Sequence, residues 1–524
     1  MSHIFLYGPP GTGKSTIGKI LARNLNLPFV DIDRLIESNA GMPIAQIMEQ
    51  QGESTFRDME TSALKEIVGH ASREASPNGG SGTGAQNQVI ALGGGALLRG
   101  ENRAFAETHG TVVLLTAELL TLLERLKNES GMRPLLAGDV RTKLASLLDQ
   151  RREHYSSFAI QSHVDGRTAE QNASQIQTRL GRFHLSAMGE YDVLVGKVDQ
   201  IGGLLHERGL QTPIVVTDEN VARFHADGVM ASLRNAGFSP RVITIPAGED
   251  YKKLETIQKL WHGFLEHGLD RKSTVIALGG GVVGDLTGFA ASTYMRGINW
   301  VCVPTTLLSM ADASLGGKTG FDLPEGKNLI GSFYPPKLIL ADPHVLETLP
   351  EREFISGLAE VVKGGIISDP ELFDLCARGL DCIKDDLAQT VKRAMAVKIK
   401  VIEDDPYEKG FRAALNLGHT VGHAVELVSR FQLRHGEAVA IGMVAEAKLA
   451  EHLTVAGKGL SDTIAGVLST LGLPVQIPEE LPRAEILGAM RVDKKKNAKA
   501  IRFALPAEIG KVELVDVTDL ELVL

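Results

Sequence analysis

Eight residues near the N-terminus have the types and spacing of a phosphate-binding loop. Residues 8–15, GPPGTGKS, fit the pattern G-x-x-x-x-G-K-[ST] between an apolar segment that predicts a strand and a segment that predicts a helix. In such a loop, backbone N–H groups surround the phosphates, the lysine reaches the β- and γ-phosphates, and the hydroxyl is offered to Mg²⁺. The motif alone fits kinases, ATPases and GTPases alike. It predicts a nucleotide site formed by Gly11, Thr12, Gly13, Lys14, Ser15 and Thr16.

Two carboxylates follow this loop in the segment FVDID, which we interpret as a strand. Because side chains alternate along a strand, Asp31 and Asp33 are expected on the same face. Carboxylates at the end of a strand beside a nucleotide can hold the waters of Mg²⁺ or accept a hydroxyl proton.

Histidines in the C-terminal part predict a metal site. The stretch LNLGHTVGHAVE places His419 and His423 at positions i and i+4 of a helix, while His435 follows in RHGEAVAIGM and Glu360 lies in GLAEVVKGG. Three histidines and a carboxylate are suitable zinc ligands. The spacing does not say whether His419, His423 or both bind the metal.

The pentapeptide ALGGG occurs twice, at residues 91–95 and 277–281. The similarity stops after five residues, so it indicates two unrelated domains rather than an internal repeat. The second copy opens a helix and suits a dinucleotide pyrophosphate, although it is not a G-x-G-x-x-G fingerprint. Asp218 ends a strand nearby, and a later glycine-rich segment carries Lys318, Lys327 and Asn328, which would suit an anion.

The elements that must position these residues predict an α/β fold throughout. Strand and helix patterns alternate over residues 1–185, which predicts a P-loop domain with a parallel sheet and flanking helices; residues 71–88 are expected to form a flexible loop. A second alternating series over 186–343 predicts a Rossmann-like α/β domain. Long helical periodicity over 344–524 predicts a mostly helical, metal-binding domain.

Composition limits the partners. The net charge of −9 offers no global basic field for nucleic acid, and no apolar run reaches the roughly 18 residues of a membrane helix. The three cysteines form no CxxC pair, which suits a reducing compartment, so we expect a cytoplasmic protein. Small anionic substrates would be met by local lysines and arginines.

The N-terminal motifs together resemble shikimate kinase over most of residues 1–170. Besides the P-loop, they are GESTFRDME with Arg57 and Glu60, the first GGG, Met132-Arg133-Pro134-Leu135-Leu136, and Arg151-x-x-x-Tyr155. The resemblance implies ATP with Mg²⁺, which Ser15 contacts directly and Asp31 supports through water. It implies Asp33 as the base, Arg133 as a lid cation on the transferring phosphate, and substrate contacts from Arg57, Gly94 and Arg151. A gluconate-type sugar kinase is the alternative.

The strings of the C-terminal part look like 3-dehydroquinate synthase across nearly all of 190–515. The resemblance implies zinc or cobalt on Glu360, His419 and His435, with Glu408 and His423 as general acid/base candidates and Lys318 as a further catalytic candidate. Substrate contacts would come from the metal-binding histidines and from Arg296, Asp312, Lys318, Asn328, Lys363, Lys398, Arg412, Asn416 and a lysine of DKKK, Lys494 or Lys495. NAD⁺ contacts would come from Asp218, Glu249, Lys252, Gly280, Gly281, Val282, Asp285, Thr305, Thr306 and Lys327.

Both resemblances together imply a fusion of two shikimate-pathway enzymes, with a homodimer formed through the synthase part. A metal-dependent polyol dehydrogenase is the nearest alternative for the C-terminal part, but its neutral substrates would not call for so many lysines and arginines. A regulatory module that senses ATP is a third reading, and it leaves Asp33, Arg57, Arg133 and Arg151 without roles.

Overall fold

The computed structural model describes residues 2–73, 87–127, 139–493 and 500–523. The chain divides into two compact units, Met1–His184 (unit 1) and Leu185–Leu524 (unit 2). Residues 74–86 of the predicted loop, Arg133, Lys494 and Lys495 lie outside the described residues. The prediction of a loop is wrong for residues 71–73, because they continue a helix.

Unit 1 is built on a parallel five-stranded sheet with the order β2-β3-β1-β4-β5. Its strands are β1 (His3–Tyr7), β2 (Phe29–Asp31), β3 (Val89–Ala91), β4 (Gly110–Thr116) and β5 (Ile160–His163). Every residue of β1 is buried, as expected of a central parallel strand. Its alternate side chains enter two apolar cores, with Ile4 and Leu6 on one face and Phe5 and Tyr7 on the other.

Helices cover both faces of this sheet, because parallel neighbours need crossover connections. They are α1 (Lys14–Asn24), α2 (Ile32–Ala40), α3 (Ile44–Arg73), α4 (Gly100–His109), α5 (Leu119–Lys127), α6 (Val140–Gln150), α7 (Arg152–Ser156) and α8 (Ala169–Leu180). Helix α3 is kinked at Gly52, whose backbone is not helical.

The predicted strand FVDID is wrong in its second half. Strand β2 ends at Asp31, and Asp33 lies in the first turn of α2. The physical reason is that Asp31 caps the helix: its Oδ1 accepts the backbone N–H of Arg34 at 3.4 Å. Asp31 and Asp33 are therefore not alternate residues of one strand.

Unit 2 begins with a Rossmann-like parallel sheet, in which six strands are hydrogen-bonded in the order β7-β14-β11-β10-β8-β9. Strand β6 (Arg182–Leu185) contains the division between the units. The other strands are β7 (Tyr191–Val195), β8 (Gln211–Asp218), β9 (Arg241–Ile245), β10 (Ser273–Gly279), β11 (Asn299–Pro304), the antiparallel hairpin β12 (Lys318–Leu323) with β13 (Gly326–Phe333), and β14 (Leu338–Ala341). The helices are α9 (Ile201–Glu207), α10 (Glu219–Val221), α11 (Asp227–Asn235), α12 (Leu254–Glu266) and α13 (Gly281–Thr293).

The remainder of unit 2 is mostly helical, as predicted, and ends in an antiparallel hairpin. Its elements are α14 (Glu351–Ser368), α15 (Pro370–Ala377), α16 (Leu380–Asp385), α17 (Leu387–Asp404), α18 (His419–Val428), α19 (His435–His452), α20 (Leu460–Thr470), α21 (Arg483–Asp493), β15 (Ile501–Glu508) and β16 (Lys511–Val517). Among the described helices, none combines the length and apolar character needed to cross a membrane.

Candidate active sites

The phosphate-binding loop of unit 1 connects β1 to α1. Lys14 Nζ donates hydrogen bonds to the carbonyl oxygens of Gly8 at 2.9 Å and Pro9 at 3.0 Å. Thr12 is buried, and its hydroxyl donates to Pro9 O at 2.8 Å, which fixes the curve of the loop. The loop also needs glycine at its start, since Gly8 has a φ of +142° and a Cβ there would strike the Leu115 carbonyl.

A hydroxyl and a carboxylate meet at the beginning of α1. Ser15 Oγ donates to Asp31 Oδ2 at 2.5 Å. These are the hard oxygen ligands that Mg²⁺ prefers, directly or through its waters. The arrangement therefore fits a hydrated magnesium ion beside the phosphates.

Three predicted substrate-site side chains surround the glycines at 93–95, which follow β3 and include the predicted Gly94. The carbonyl oxygen of Gly94 accepts hydrogen bonds from Arg151 Nη1 at 2.7 Å and from the Tyr155 hydroxyl at 3.3 Å. A Cβ at Gly93 would lie 3.0 Å from Asp33 Oδ1, and one at Gly95 would lie 2.7 Å from Arg57 Nη2. The structure thus brings Asp33, Arg57, Gly94 and Arg151 together around these glycines.

Glu60 is a functional candidate to which sequence reasoning assigned no role. It lies one turn after Arg57 on α3, and Arg57 Nη1 donates to its Oε2 at 2.6 Å. Only 1% of Glu60 is exposed, and burial raises the pKa of its carboxyl to about 7 although Arg57 opposes the shift. The available signal was the i, i+3 spacing of Arg57 and Glu60, which is typical of a helical ion pair.

The metal candidates of unit 2 converge from three helices. One ligand atom each from Glu360 on α14, His419 on α18 and His435 on α19 lie within 4.8 Å of one another. Glu360 Oε1 is 3.6 Å from His419 Nε2 and 3.5 Å from His435 Nε2. The other ring nitrogens are occupied, because His419 Nδ1 lies 3.1 Å from Leu417 O and His435 Nδ1 lies 3.3 Å from Glu426 Oε2. Both Nε2 atoms are therefore the ones directed at a shared ligand position.

The donor set fits zinc. Both carboxylate oxygens of Glu360 are buried and have no hydrogen bond of acceptable geometry among the described residues, although Lys363 Nζ lies 2.5 Å from Oε2. Two imidazoles and one carboxylate form a three-ligand set that leaves a coordination position for substrate. Glu360, His419 and His435 would hold such an ion.

The charges of this cluster depend on burial and on the neighbouring groups. Burial, and next Lys363, lowers the pKa of His419 to about 3. Burial also lowers the pKa of His435, but the adjacent carboxylates of Glu360 and Glu426 outweigh it and raise that pKa to about 9. Burial opposes ionisation of Glu426, yet His435 and Lys327 hold its pKa at about 2. His419 is thus neutral near pH 7, while His435 is held between two carboxylates.

His423 lies beside the cluster rather than in it. Its ring centroid is 5.1 Å from that of His419 and 5.9 Å from that of His435. The ligand atoms that converge at this place come from His419, His435 and Glu360. The geometry favours His419 as the metal ligand. His423 lies next to the three ligand candidates, which is a suitable position for a group that transfers a proton.

Buried lysines supply positive charge on one side of the metal candidates. Lys363 Nζ donates to Leu415 O at 2.9 Å and lies 3.8 Å from Asp312 Oδ1, while Lys398 Nζ lies 2.6 Å from the same oxygen. Burial raises the pKa of Asp312, but the two lysines outweigh it and lower that pKa; burial lowers the pKa of Lys398. Asp312 thus holds two predicted anion-binding lysines together.

Other predicted substrate residues lie in three further places. Lys318 Nζ lies 3.6 Å from Glu408 Oε2, and Asn416 Nδ2 donates to Glu408 Oε1 at 3.4 Å, so these three residues form one group. Arg412 is buried and donates from Nη1 to Pro406 O. Arg296 is exposed between α13 and β11, and it shares no hydrogen bond or ion pair with the metal cluster among the described residues.

The glycine loop at the end of β10 leads directly into α13, whose first turn contains Val282. Gly279 O accepts the backbone N–H of Thr305 at 3.0 Å, and a Cβ at Gly280 would lie 3.0 Å from Thr306 Cγ2. Backbone and small side chains therefore line the start of this helix, which suits the close approach of a pyrophosphate. Asp218 caps α10 at the end of β8, the strand next to β10.

A buried lysine connects the glycine-loop helix to the β12–β13 hairpin. Lys252 Nζ lies 2.7 Å from Asp285 Oδ2 on α13 and donates to Asn328 Oδ1 at 2.6 Å; Glu249 Oε1 is 3.9 Å away. Burial lowers the pKa of Lys252, but Asp285 and Glu249 outweigh it and raise that pKa. Lys327, predicted to contact the dinucleotide, instead pairs with Glu426 at 3.0 Å.

Two buried carboxylates that support the site were missed from the sequence. Glu426 contacts both His435 and Lys327. Glu446 on α19 is fully buried and accepts the backbone N–H groups of Gly418 at 2.6 Å and Val421 at 3.4 Å, so it caps the beginning of α18, where His419 stands. The helical i, i+3 spacing of His423 and Glu426 was visible, but nothing in the sequence marked Glu446.

Comparisons with known proteins agree with this division of sites. A shikimate kinase family model matches residues 10–181, and models of the 3-dehydroquinate synthase N-terminal and C-terminal regions match 242–356 and 357–496. The 3-dehydroquinate synthase of Rippkaea orientalis is 44% identical over 336 residues, which cover 63% of this chain and 92% of the relative.

Two similar solved structures carry ligands. One is 2-deoxy-scyllo-inosose synthase complexed with carbaglucose-6-phosphate, NAD⁺ and Co²⁺, at 25% identity and a TM-score of 0.59, covering 64% of this chain and 96% of that one. The other is 2-epi-5-epi-valiolone synthase from Streptomyces hygroscopicus with NAD⁺ and Zn²⁺, at 28% identity and a TM-score of 0.58, covering 64% and 94%.

These matches confirm both predicted enzyme classes and set aside the polyol dehydrogenase and the ATP-sensing module. The chain belongs to the 3-dehydroquinate synthase family and carries a shikimate kinase domain ahead of that region, so it is a bifunctional enzyme of the shikimate pathway.

Proposed function

We propose that unit 1 transfers a phosphoryl group from ATP·Mg²⁺ to a hydroxyl of shikimate. We also propose that unit 2 converts 3-deoxy-D-arabino-heptulosonate 7-phosphate to 3-dehydroquinate and phosphate, with NAD⁺ and zinc. The main observation that supports the kinase proposal is the convergence of Asp33, Arg57 and Arg151 on the glycines beside the phosphate loop. For the synthase it is the convergence of Glu360, His419 and His435 next to buried lysines.

In the kinase, each charged group has a separate task. Asp33 accepts the proton of the attacking hydroxyl, and Lys14 stabilises the negative charge that develops on the phosphoryl oxygens. Arg57 and Arg151 bind the shikimate carboxylate, for which a planar guanidinium is the best-matched donor. Arg133, outside the described residues, stays a predicted lid cation. Ser15 and Asp31 are the residues that would hold Mg²⁺, Ser15 directly and Asp31 through water.

In the synthase, the chain's own residues bind anions and move protons. When bound, NAD⁺ would supply transient oxidation of a ring hydroxyl and zinc would polarise the oxygens concerned. Lys363 and Lys398, held by Asp312, neutralise the substrate's anionic groups, and Arg412 and Asn416 add further contacts. Glu408 and His423 are the groups proposed to take and return the proton as phosphate leaves. The start of α13 binds the dinucleotide pyrophosphate.

The kinase proposal is tested by coupled measurement of ADP release from ATP with shikimate, with gluconate as the alternative acceptor. We expect shikimate alone to be phosphorylated. Asp33→Asn should reduce kcat by at least about 100-fold because the base is lost. Asp58→Asn is the matched control: this exposed residue of α3 pairs with Arg99 and should leave kcat near the wild-type value. Equal losses in both variants, or phosphorylation of gluconate, would refute the assignment.

The synthase proposal is tested by following inorganic phosphate and NADH together from the heptulosonate phosphate. We expect many phosphates released per NAD⁺ added, with no net NADH, because the oxidation is reversed within each turnover. Accumulation of one NADH per phosphate would reject a synthase in favour of a dehydrogenase. Release of phosphate by enzyme shown to be free of NAD⁺ would reject the proposed cofactor.

A further inference from the structure

One strand of the β12–β13 hairpin reaches both proposed cofactor sites. Lys327 and Asn328 are consecutive residues of β13, and their side chains contact different partners. Asn328 Oδ1 accepts from Lys252, which pairs with Asp285 on the glycine-loop helix. Lys327 Nζ instead lies 3.0 Å from Glu426 Oε1. The hairpin therefore connects the dinucleotide loop to the metal cluster.

Glu426 is the shared group at the metal end of this connection. Its Oε1 faces Lys327, and its Oε2 lies 3.3 Å from His435 Nδ1. Its side chain is 10% exposed, so water competes little for these oxygens. The ring of Phe431 lies 4.2 Å from Lys327 Nζ and confines the lysine next to the carboxylate. A single buried carboxylate thus contacts one residue of the proposed dinucleotide site, Lys327, and one of the proposed metal site, His435.

We propose that Glu426 is a positioning residue that couples dinucleotide binding to zinc binding, so that each ligand raises the affinity of the other. This inference rests on the proposed function, in which unit 2 binds NAD⁺ and zinc. Glu426 acts on the reaction only through Lys327 and His435.

The direction of the coupling follows from the way one carboxylate holds both residues, with Oε1 on Lys327 and Oε2 on His435. A metal on Nε2 of His435 would fix Nδ1 as the nitrogen that donates to Glu426, and this holds the carboxylate in place. Lys327 is then held in position as well, so a dinucleotide need not order this lysine when it binds. In the reverse order, a dinucleotide that engages Lys327 would fix Glu426 against His435 and so orient the imidazole for the metal. Such coupling is reciprocal by thermodynamic necessity.

The test is calorimetric titration of NAD⁺ into the full-length chain, once after removal of metal with a chelator and once loaded with zinc. We expect the dissociation constant for NAD⁺ to be lower with zinc by about fivefold or more. Glu426→Gln keeps the size of the side chain and removes its charge, and should bring this ratio to within about twofold of one. Asp516→Asn, which removes the carboxylate of an exposed ion pair with Arg502, should keep the wild-type ratio.

The outcomes separate this inference from the function on which it rests. A wild-type ratio of one, with NAD⁺ bound, refutes the coupling alone; so does a Glu426→Gln ratio equal to the wild-type ratio. Absence of NAD⁺ binding in both states refutes the proposed function and this inference with it.

Two further measurements keep the proposal falsifiable if Glu426→Gln folds poorly. Lys327→Met, at the hairpin surface, should also bring the ratio to within about twofold of one, because Lys327 and Glu426 act in one path; a wild-type ratio in this variant would overturn the proposal. In Co²⁺-loaded protein, NAD⁺ should shift the visible metal absorption of the wild type. It should not shift that of Lys327→Met, and an equal shift in both would overturn the proposal.

Discussion

Replacing Gly442 with alanine tests whether the close packing of α18 on α19 sets the metal site. The two helices carry His419 and His435, and Gly442 faces Gly418, the residue immediately before His419. A Cβ at Gly442 would strike the Gly418 carbonyl oxygen and lie 2.8 Å from its carbon and 2.9 Å from Gly422 N. Ordinary contacts begin at 3.4 Å, so the carbonyl carbon alone requires a separation of about 0.6 Å, and the carbonyl oxygen, which is closer, requires more. Metal–ligand distances tolerate only about 0.2 Å.

The expected magnitude follows from two opposing contributions. Overpacking of this kind costs about 1–3 kcal/mol, and a backbone obstacle places it at the upper end. Alanine regains about 1 kcal/mol over glycine in a helix. The net cost is therefore about 2 kcal/mol. Without zinc the helices can spread, whereas zinc requires the close approach. Most of that energy should appear as weaker zinc binding, by roughly 30-fold at 1.4 kcal/mol per decade.

Competition with a chromophoric chelator measures the zinc affinity, and thermal unfolding monitored by circular dichroism measures the stability of unit 2. Gly466→Ala is the matched control: it lies in α20, is exposed, and a Cβ there would meet no atom within 4 Å. This control should leave zinc affinity unchanged and raise stability by about 0.5–1 kcal/mol. If Gly442→Ala binds zinc within twofold of the wild type, helix contact at this position does not set the site.

Four other predictions concern the two activities separately. Lys14→Ala should abolish shikimate phosphorylation and leave phosphate release from the heptulosonate intact; loss of both in folded protein would show coupled sites. His435→Ala should lose both zinc, by metal analysis, and synthase activity, while retaining kinase activity. The raised pKa of Glu60, about 7 against 4.5, means that its contribution to stability is present below pH 4.5 and is lost as pH rises through 7. The stability of unit 1 should therefore fall by up to about 3 kcal/mol as the pH rises. Glu60→Gln should reduce this fall, as measured by thermal unfolding between pH 5 and 8. A chain cut near residue 185 should give two halves whose individual kinase and synthase rates are unchanged. With the intermediate enzymes supplied, the mixed halves should convert heptulosonate phosphate to shikimate phosphate as fast as the intact chain does. A marked loss of this coupled flux would indicate channelling.

Where a motif ties chemistry to a backbone shape, the sequence predicted residues that the structure brings together. The phosphate loop needs glycine at fixed positions, and Gly8, with its positive φ against the Leu115 carbonyl, shows why. The metal candidates were likewise visible, because helical spacing placed His419 and His423 on one face. The sequence did not decide between those histidines, since the choice depends on how α18 faces α14 and α19.

The supporting carboxylates were not predictable, because charged side chains are usually exposed. Glu60, Glu426 and Glu446 are buried only because a partner from elsewhere compensates each one: an arginine, a histidine with a lysine, and the first N–H groups of a helix. The end of β2 was missed for a related reason. The sequence pattern predicts that the strand continues past Asp31, but the side chain of Asp31 caps α2 and the strand ends there.

The pentapeptide ALGGG occurs in both units, but the two copies have different structural surroundings and therefore different proposed roles. In unit 1, β3 ends at Ala91 and the glycines lead into a single 3-10 turn at 96–98, so they offer no long helix N-terminus to an anion. Their value is their lack of side chains, which lets Asp33, Glu60 and Arg57 approach the backbone closely. In unit 2, β10 continues to Gly279 and the next residues open the 13-residue helix α13. There the aligned N–H groups of the helix would bind the proposed dinucleotide pyrophosphate. A methyl group at Gly93 should therefore disturb acceptor binding in the kinase through displaced charges. A methyl group at Gly281 would lie 3.5 Å from the Ala313 Cβ, which is an ordinary contact within the protein. Any loss of dinucleotide affinity in Gly281→Ala would therefore arise because the methyl group blocks the approach of the ligand to the backbone.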